Sequence, residues 1–249
     1  MLSKSQISLL NSLQHKKFRR EHGLFIVEGY KSIIEFAHSG YHVNTIYHTT
    51  DATPKLLNLS QKINYQEITL TELQKISALK TPADALATIN IPQQTDVDPQ
   101  RLKNKFSLVL DGVQDPGNMG TIIRTADWFG FTDIICSEDT VDVYNPKVVQ
   151  ATMGSLARVN VRYVNLVEFI KALKMPVLGT LLNGEIIYTT QLGHEGLLVL
   201  GNEGNGIRPD IQALITKAVT IPRVGKAESL NVAVAAAVCC SQLVAKTYK

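Results

Sequence analysis

A chain of 249 residues with 45% hydrophobic and 19% charged side chains, 16 glycines and 9 prolines has a globular profile and excludes collagen-like, disordered and disulfide-scaffold classes. Its formal charge of +3, from 25 Lys and Arg against 22 Asp and Glu, is too small by itself to name a nucleic acid as the partner. Cys136, Cys239 and Cys240 lack C-x-x-C spacing, so neither a disulfide framework nor a zinc site is encoded, and a reducing cytoplasm with no bound metal is expected. The N-terminus lacks the apolar core of a signal peptide. The most apolar stretch, Val232 to Cys240, is nine residues long, against about 20 for a bilayer span, so no membrane partner is expected.

In the first ninety residues, strand-length apolar runs alternate with segments of helical period, which predicts repeated β/α units. The strands are Leu24 to Val27, Val43 to His48, Tyr65 to Ile68 and Ala85 to Ile91; the helices are Ser5 to Gln14, Tyr30 to His38, Lys55 to Ile63 and Thr71 to Leu79, the last capped by Thr71. The polar stretch from Pro92 to Lys105, with two prolines and no periodicity, reads as a linker. The expected domains are therefore 1–92, a smaller α/β domain, and 106–249, joined by a linker over 93–105. In the second domain strands are expected at Phe106 to Leu110, Asp133 to Cys136, Val159 to Val164, Val177 to Leu182, Leu197 to Leu200 and Val219 to Ile221. Helices are expected at Met119 to Phe129, Lys147 to Leu156, Leu166 to Leu173, Asp210 to Lys217 and Leu230 to Lys246. The strands are rich in Val, Ile and Leu without clean alternation, which predicts a mostly parallel sheet with helices on both faces, and ligands of such sheets bind at the strand carboxyl ends.

Four segments carry possible chemistry. Lys16, Lys17, Arg19 and Arg20, flanked by His15 and His22 and interrupted by Phe18, form a basic cluster able to grip phosphates while Phe18 stacks or packs; a solvated helix end is the plain alternative. The turn from Asp111 through Gly112, Asn118 and Gly120 runs from a strand end into a helix. Such a turn aims backbone N–H groups at a ligand, with Arg124 about one turn further on as an anion partner. The turn Gly201-Asn202-Glu203-Gly204-Asn205-Gly206 has neither the dinucleotide nor the P-loop spacing, yet its glycines allow close approach of backbone to ligand. Finally, Ile221 to Ala235 passes through a loop with Arg223 and Lys226 into an apolar helix that Ser229 or Asn231 caps, a helix destined for the core or a subunit interface.

Three blocks make a specific resemblance: Asn118-Met119-Gly120-x-x-x-Arg124-Thr125-Ala126, Leu200-Gly201-Asn202-Glu203-Gly204, and Ile221-Pro222-x5-Glu228-Ser229-Leu230-Asn231-Val232. In order and spacing they resemble motifs 1, 2 and 3 of the SpoU (TrmH-like) branch of the SPOUT RNA methyltransferases, over essentially all of 106–249. The first domain, through Phe25 to Gly29 and the basic run before it, resembles more weakly the RNA substrate-binding domain that many of these enzymes carry. The resemblance implies methyl transfer from S-adenosylmethionine to a ribose 2′-hydroxyl in RNA, by a homodimer joined through the C-terminal domain, which carries a trefoil knot. It implies a catalytic group of Arg124, Asn118, Glu203, Ser229 and Asn231, with Arg124 fixing the target phosphate rather than taking the proton, since a guanidinium stays charged. It assigns the cofactor to Leu200, Gly201, Asn202, Gly204, Ile221 and Leu230, with Gly179, Thr180 and Leu181 as a further wall. RNA contacts are expected from Lys16, Lys17, Arg19, Arg20, Arg223 and Lys226, and 23S ribosomal RNA is favoured as substrate. The alternatives are a transfer-RNA 2′-O-methyltransferase and a non-catalytic RNA-binding protein of the same fold.

Overall fold

The computed structural model describes residues 1–56, 59, 62–93 and 95–245. In chain order the elements are α1 (Lys4–Ser12), α2 (Lys16–His22), β1 (Leu24–Glu28), α3 (Tyr30–Ala37), β2 (Val43–His48), α4 (Thr53–Leu56), β3 (Asn64–Glu67), α5 (Leu70–Ile76) and β4 (Ala85–Asn90). There follow β5 (Phe106–Leu110), α6 (Pro116–Trp128), β6 (Asp133–Ser137), α7 (Pro146–Thr152), β7 (Asn160–Val164), α8 (Leu166–Leu173), β8 (Val177–Ile186), β9 (Gly196–Leu200), α9 (Pro209–Gln212), β10 (Lys217–Thr220) and α10 (Val232–Ala245). The chain divides into two compact units, Met1–Gln93 with Asp142–Arg158, and Gln94–Val141 with Val159–Lys249. This departs from the continuous second domain expected at 106–249: the segment bearing α7 packs with the first unit, against β1.

The first unit holds a four-stranded mixed sheet in the order β1-β4-β2-β3, with β4 antiparallel to both β1 and β2 and β2 parallel to β3. Leu10 and Leu13 pack with Ile26, Leu73, Ile76 and Leu86 in its core. The cap of helix α5 is Thr69, two residues before the expected Thr71. Thr69 Oγ1 accepts from Glu72 N at 3.2 Å while Glu72 Oε2 accepts from Thr69 N at 3.0 Å, a reciprocal cap that satisfies two otherwise orphan donors. The helix expected over Lys55 to Ile63 starts as α4, but residues 57, 58, 60 and 61 lie outside the described residues.

Arg19 was expected beside its neighbours as a phosphate contact and is instead buried, at 2% exposure. Its Nη1 donates to the Leu13 and Gln14 carbonyls, each at 2.9 Å, and its Nη2 meets Asp142 Oδ2 at 2.5 Å. The guanidinium thus closes the turn between α1 and α2 and fastens the 142–158 segment to the first unit. Lys16, Lys17 and Arg20 remain exposed.

The second unit is built on a six-stranded sheet, all parallel, in the order β10-β8-β9-β5-β6-β7. Every residue of β6 and β9 is buried, as are four of the five in β5, which is why these strands read as unbroken apolar runs: both faces are covered. Val109, Val177, Leu197 and Val199 point to a core shared with Leu166 and Ile170 of α8 and Ile211 of α9, and α10 packs on α6. Several helices differ from expectation at their ends: α7 stops at Thr152 rather than Leu156, and α10 starts at Val232 rather than Leu230. Asp115 and Pro116 start α6 three residues early, the side chain accepting from Asn118 N at 2.8 Å, and a proline at the first helical position loses no hydrogen bond. Helix α9 stops at Gln212, so the residues expected to continue it lead into β10 instead. The last expected residue of α10, Lys246, lies outside the described residues.

Removing the partner of a buried charge costs far more than a surface ion pair is worth. Asp142→Ala is therefore expected to lower unfolding free energy in urea by about 3 kcal/mol, and Asp142→Asn, which keeps an oxygen acceptor, by less. A loss below about 0.5 kcal/mol for the alanine variant would show that the pair holds nothing together.

Candidate active site

After β5 the chain builds β6 and β7 on one side, then crosses to β8 and returns to fill the space between with β9. The carboxyl ends of β5 and β9, where Leu110 pairs with Leu200, therefore meet where successive connections leave in opposite directions, the place where open parallel sheets bind ligands. Next to them Gly179 of β8 pairs with Val199 and with Ala218 of β10. One edge of the sheet thus lines up the turns after β5, β9 and β10 and the wall from β8.

The first two turns are locked together. Gly112, with φ +71°, takes a left-handed conformation that a side chain would strain; its N–H donates to Ser137 Oγ at 2.8 Å and its carbonyl accepts from Asn202 Nδ2 at 2.6 Å. Asn202 also shapes its own turn: Oδ1 accepts from Gly204 N at 2.9 Å and Asn205 N at 3.0 Å, and its backbone pairs in both directions with Gly206. A Cβ on Gly201 would collide with the Gly206 and Ile207 backbone, so only glycine lets the turn fold back this tightly. Sequence reasoning missed a second brace. Asp111, with a fully buried side chain, accepts from Arg208 N at 2.8 Å and Arg208 Nε at 2.7 Å. A carboxylate directly after an apolar strand was the available signal, since such a group stays buried only when paired.

Around these turns the structure brings together Asn118, Glu203 and Asn231, one residue from each block. Asn118 Nδ2 donates to Glu203 Oε1 at 3.0 Å, and Asn118 Oδ1 accepts from Asn231 Nδ2 at 2.9 Å. Asn231 is also the cap of α10, its Oδ1 accepting from Ala233 N at 2.9 Å and Val234 N at 3.2 Å, so the choice between Ser229 and Asn231 falls to the latter. Glu203 further accepts from the backbone N–H of Gln114 and Asp115, each at 3.3 Å. Partial burial pushes the Glu203 carboxyl up, but the Asn118 amide and these backbone donors outweigh it and hold the group below its ordinary range. It is an anion whose charge is spent on fixing the turn.

Arg124 does not join this cluster. It lies in the third turn of α6, exposed rather than packed in an apolar first turn, because the helix starts at Pro116. Six residues beyond Asn118, it stands about 9 Å further along the axis and about 120° around it. Among the described residues it makes no side-chain hydrogen bond or ion pair. The loop from Pro222 to Asn231 is exposed throughout, with Ser229, Lys226 and Leu230 on it and Arg223 donating to the Ala227 carbonyl at 3.2 Å. Thr180 is tied by its hydroxyl to the Val199 carbonyl at 3.0 Å, while Leu200, Gly201 and Ile221 line the strand ends. The three cysteines are buried free thiols, Cys239 and Cys240 raised to about 12 by burial, which makes them poor nucleophiles. Among the described residues, no helix is long and apolar enough to cross a membrane.

A parallel α/β sheet with a glycine-shaped turn at its switch point and a polar cluster joining three separate blocks defines a ligand-binding enzyme fold. The SpoU rRNA methylase family model matches residues 105–241, and that of the MRM3-like substrate-binding domain matches residues 4–87; the chain belongs to the SpoU rRNA methylase family. It is 31% identical over 230 residues to the 23S rRNA (guanosine(2553)-2′-O)-methyltransferase RlmP of Bacillus subtilis (strain 168), covering 91% of this chain and 90% of that one. A solved chain from Porphyromonas gingivalis, assigned to the TrmH family of RNA methyltransferases, is 38% identical with a TM-score of 0.89 over 98% of both chains. An AdoMet-bound rRNA methyltransferase from Sinorhizobium meliloti is 26% identical with a TM-score of 0.85, over 99% of this chain and 97% of that one.

Asn118→Ala removes the side-chain donor that stabilises the Glu203 anion, so the Glu203 pKa is expected to rise. Carbon-13 NMR titration of glutamate carboxyls in the wild type and the variant measures this, and an unmoved Glu203 resonance would contradict the geometry. A carboxyl held low in the folded state adds stability above its unfolded pKa, and that stability is lost as pH falls through the folded value.

Proposed function

We propose that this protein transfers a methyl group from S-adenosylmethionine to a ribose 2′-hydroxyl of 23S ribosomal RNA. The observation that carries the proposal is the bridging Asn118 amide, which ties Glu203 and Asn231 into one cluster at the strand ends. The residues there fit the donor. Exposed apolar Leu182 and Leu230 suit an adenine, and the glycine-shaped turn from Gly201 to Gly204 with Ile221 suits the polar remainder, leaving Gly179, Thr180 and Leu181 as a wall. When bound, S-adenosylmethionine supplies a sulfonium methyl that is already electrophilic.

The chain's own residues then have only to align the attacking oxygen with the methyl and let the hydroxyl proton leave. Glu203 braces the turn, and Asn118 transmits that bracing to Asn231 and the start of α10. Ser229, on the exposed loop beside Asn231, borders the place where the ribose enters. Arg124, a guanidinium unpaired among the described residues, is suited to hold the target phosphate and polarise the hydroxyl, whose proton passes to phosphate or water. In the balance, a carbon–oxygen bond forms, the carbon–sulfur bond breaks, and one proton is released.

Lys16, Lys17 and Arg20 in the first unit, and Arg223 and Lys226 on the loop, are the phosphate contacts of this reading, in keeping with the family match to a substrate-binding domain. Arg19, being buried, is not among them. A homodimer through the second unit is supported by the exposed Trp128 on α6 and Val234 on α10, and a trefoil knot by the return of α10 onto α6 after β10 closes the far edge of the sheet. The setting is the cytoplasm.

The test is incubation with methyl-labelled S-adenosylmethionine and unmodified 23S ribosomal RNA or transfer RNA, followed by alkaline hydrolysis. Label in alkali-resistant dinucleotides from the ribosomal RNA is expected. Label only in mononucleotides contradicts ribose transfer, label from transfer RNA alone moves the substrate, and no label with RNA still bound leaves a binding protein. Arg124→Ala is expected to abolish turnover while changing affinity for the donor by no more than a few-fold.

A further inference from the structure

Helix α2 breaks a local rule. Lys16 and Lys17 occupy its first turn, which holds no acidic residue, and His15 at the cap makes no side-chain capping bond; cations there face the positive end of the helix dipole. Helix stability does not account for these residues, and such conflicts tend to mark functional sites.

One side of the helix, next to the buried Arg19, is aromatic. His15, Phe18 and His22 follow at spacings of three and four, which places them on one face. Phe18 is half-buried between two exposed histidines. Its ring lies 6.5 Å from that of His22 at an interplanar angle of 18°, and 6.4 Å from that of His15 at 69°. Lys17 Nζ sits 5.7 Å from the Phe18 centroid. Exposed Lys17 borders the Phe18 ring, whereas exposed Lys16 and Arg20, each two residues from Phe18, project about 160° around the helix from it. The inner side of the helix is held by Arg19 through the Leu13 and Gln14 carbonyls and Asp142, so the strip is presented on a fastened support.

We propose that this strip is a stacking platform for unpaired nucleotides of the RNA substrate, with Phe18 as the central ring and Lys17 holding the adjoining phosphate. The inference rests on the reading of the protein as an RNA enzyme and adds the form of RNA its first unit takes. Rings beside cations are how proteins hold single strands, because every base offers a face to stack. In a duplex those faces are already covered.

The experiment measures binding of the full chain to a single-stranded oligouridylate and to a blunt RNA duplex of equal length, across a salt series. Phe18→Leu, which keeps an apolar side chain of similar bulk, is expected to weaken single-strand binding about tenfold without changing the salt slope or duplex binding. Phe18→Tyr, which keeps the ring, is expected to restore it. Lys17→Gln is expected to lower the single-strand slope by about 0.7. His22→Ala, at an exposed position, serves as the second variant and is expected to weaken single-strand binding a few-fold. Equal affinity of wild type and Phe18→Leu, or an equal loss on both RNAs, overturns the platform. Failure of the wild type to bind either RNA counts instead against the RNA-enzyme reading beneath it.

Discussion

The side-chain amide of Asn118 does two things at once: it donates to Glu203 and accepts from Asn231. An amide is suited to this because it carries a donor and an acceptor on one planar group. A carboxylate in its place would face Glu203 as a like charge, and an amine would have nothing to offer the Asn231 donor. Three blocks separated by 85 and 113 residues are thereby held at hydrogen-bond distance, and the turns on which they lie inherit that spacing.

The sheet makes the meeting possible. Because all six strands run in one direction, their carboxyl ends share one edge, and because β9 is inserted between β5 and β8, the turns after β5 and β9 become neighbours. The glycine at 201 lets the second turn close on itself, Asn202 joins it to Gly112, and the Asp111–Arg208 pair fixes its far end. Rigidity in this layer suits a reaction in which the protein must align two partners more than it must activate either. In the proposed reading the first unit faces a different demand, since phosphate and base recognition call for charge and flat surface rather than a closed pocket.

Much of this was legible in the residues, for physical reasons. Strand β5 and helix α8 have the expected limits because an apolar run ends at a turn-former in one, and Asn165 caps the other by accepting from Val167 N and Glu168 N. The polar cluster was legible because its members stand in separate blocks of recognisable spacing. Other features left no local signal. Helix α2 has no apolar period, since the residue that anchors it is an arginine. Burial of that arginine depends on Asp142, 123 residues away, and so does the packing of 142–158 with the first unit. The tail of β8, with Asn183, Gly184 and Glu185, looks like a turn by composition; it extends as strand because β10 pairs with Glu185 and Ile186 after a register shift. Arg124 stands in the third turn of α6 rather than about one turn in, because the helix starts at Pro116, before its apolar residues begin.

In the proposed reaction the turns after β9 and β10 close on one donor molecule beside the Asn118 cluster. Hydrogen–deuterium exchange of the full protein with and without S-adenosylmethionine tests that closure most directly. Slowed exchange is expected in residues 200–206 and 221–233 together, with the first unit unchanged. Protection confined to one of those segments, or found only in the first unit, would contradict it.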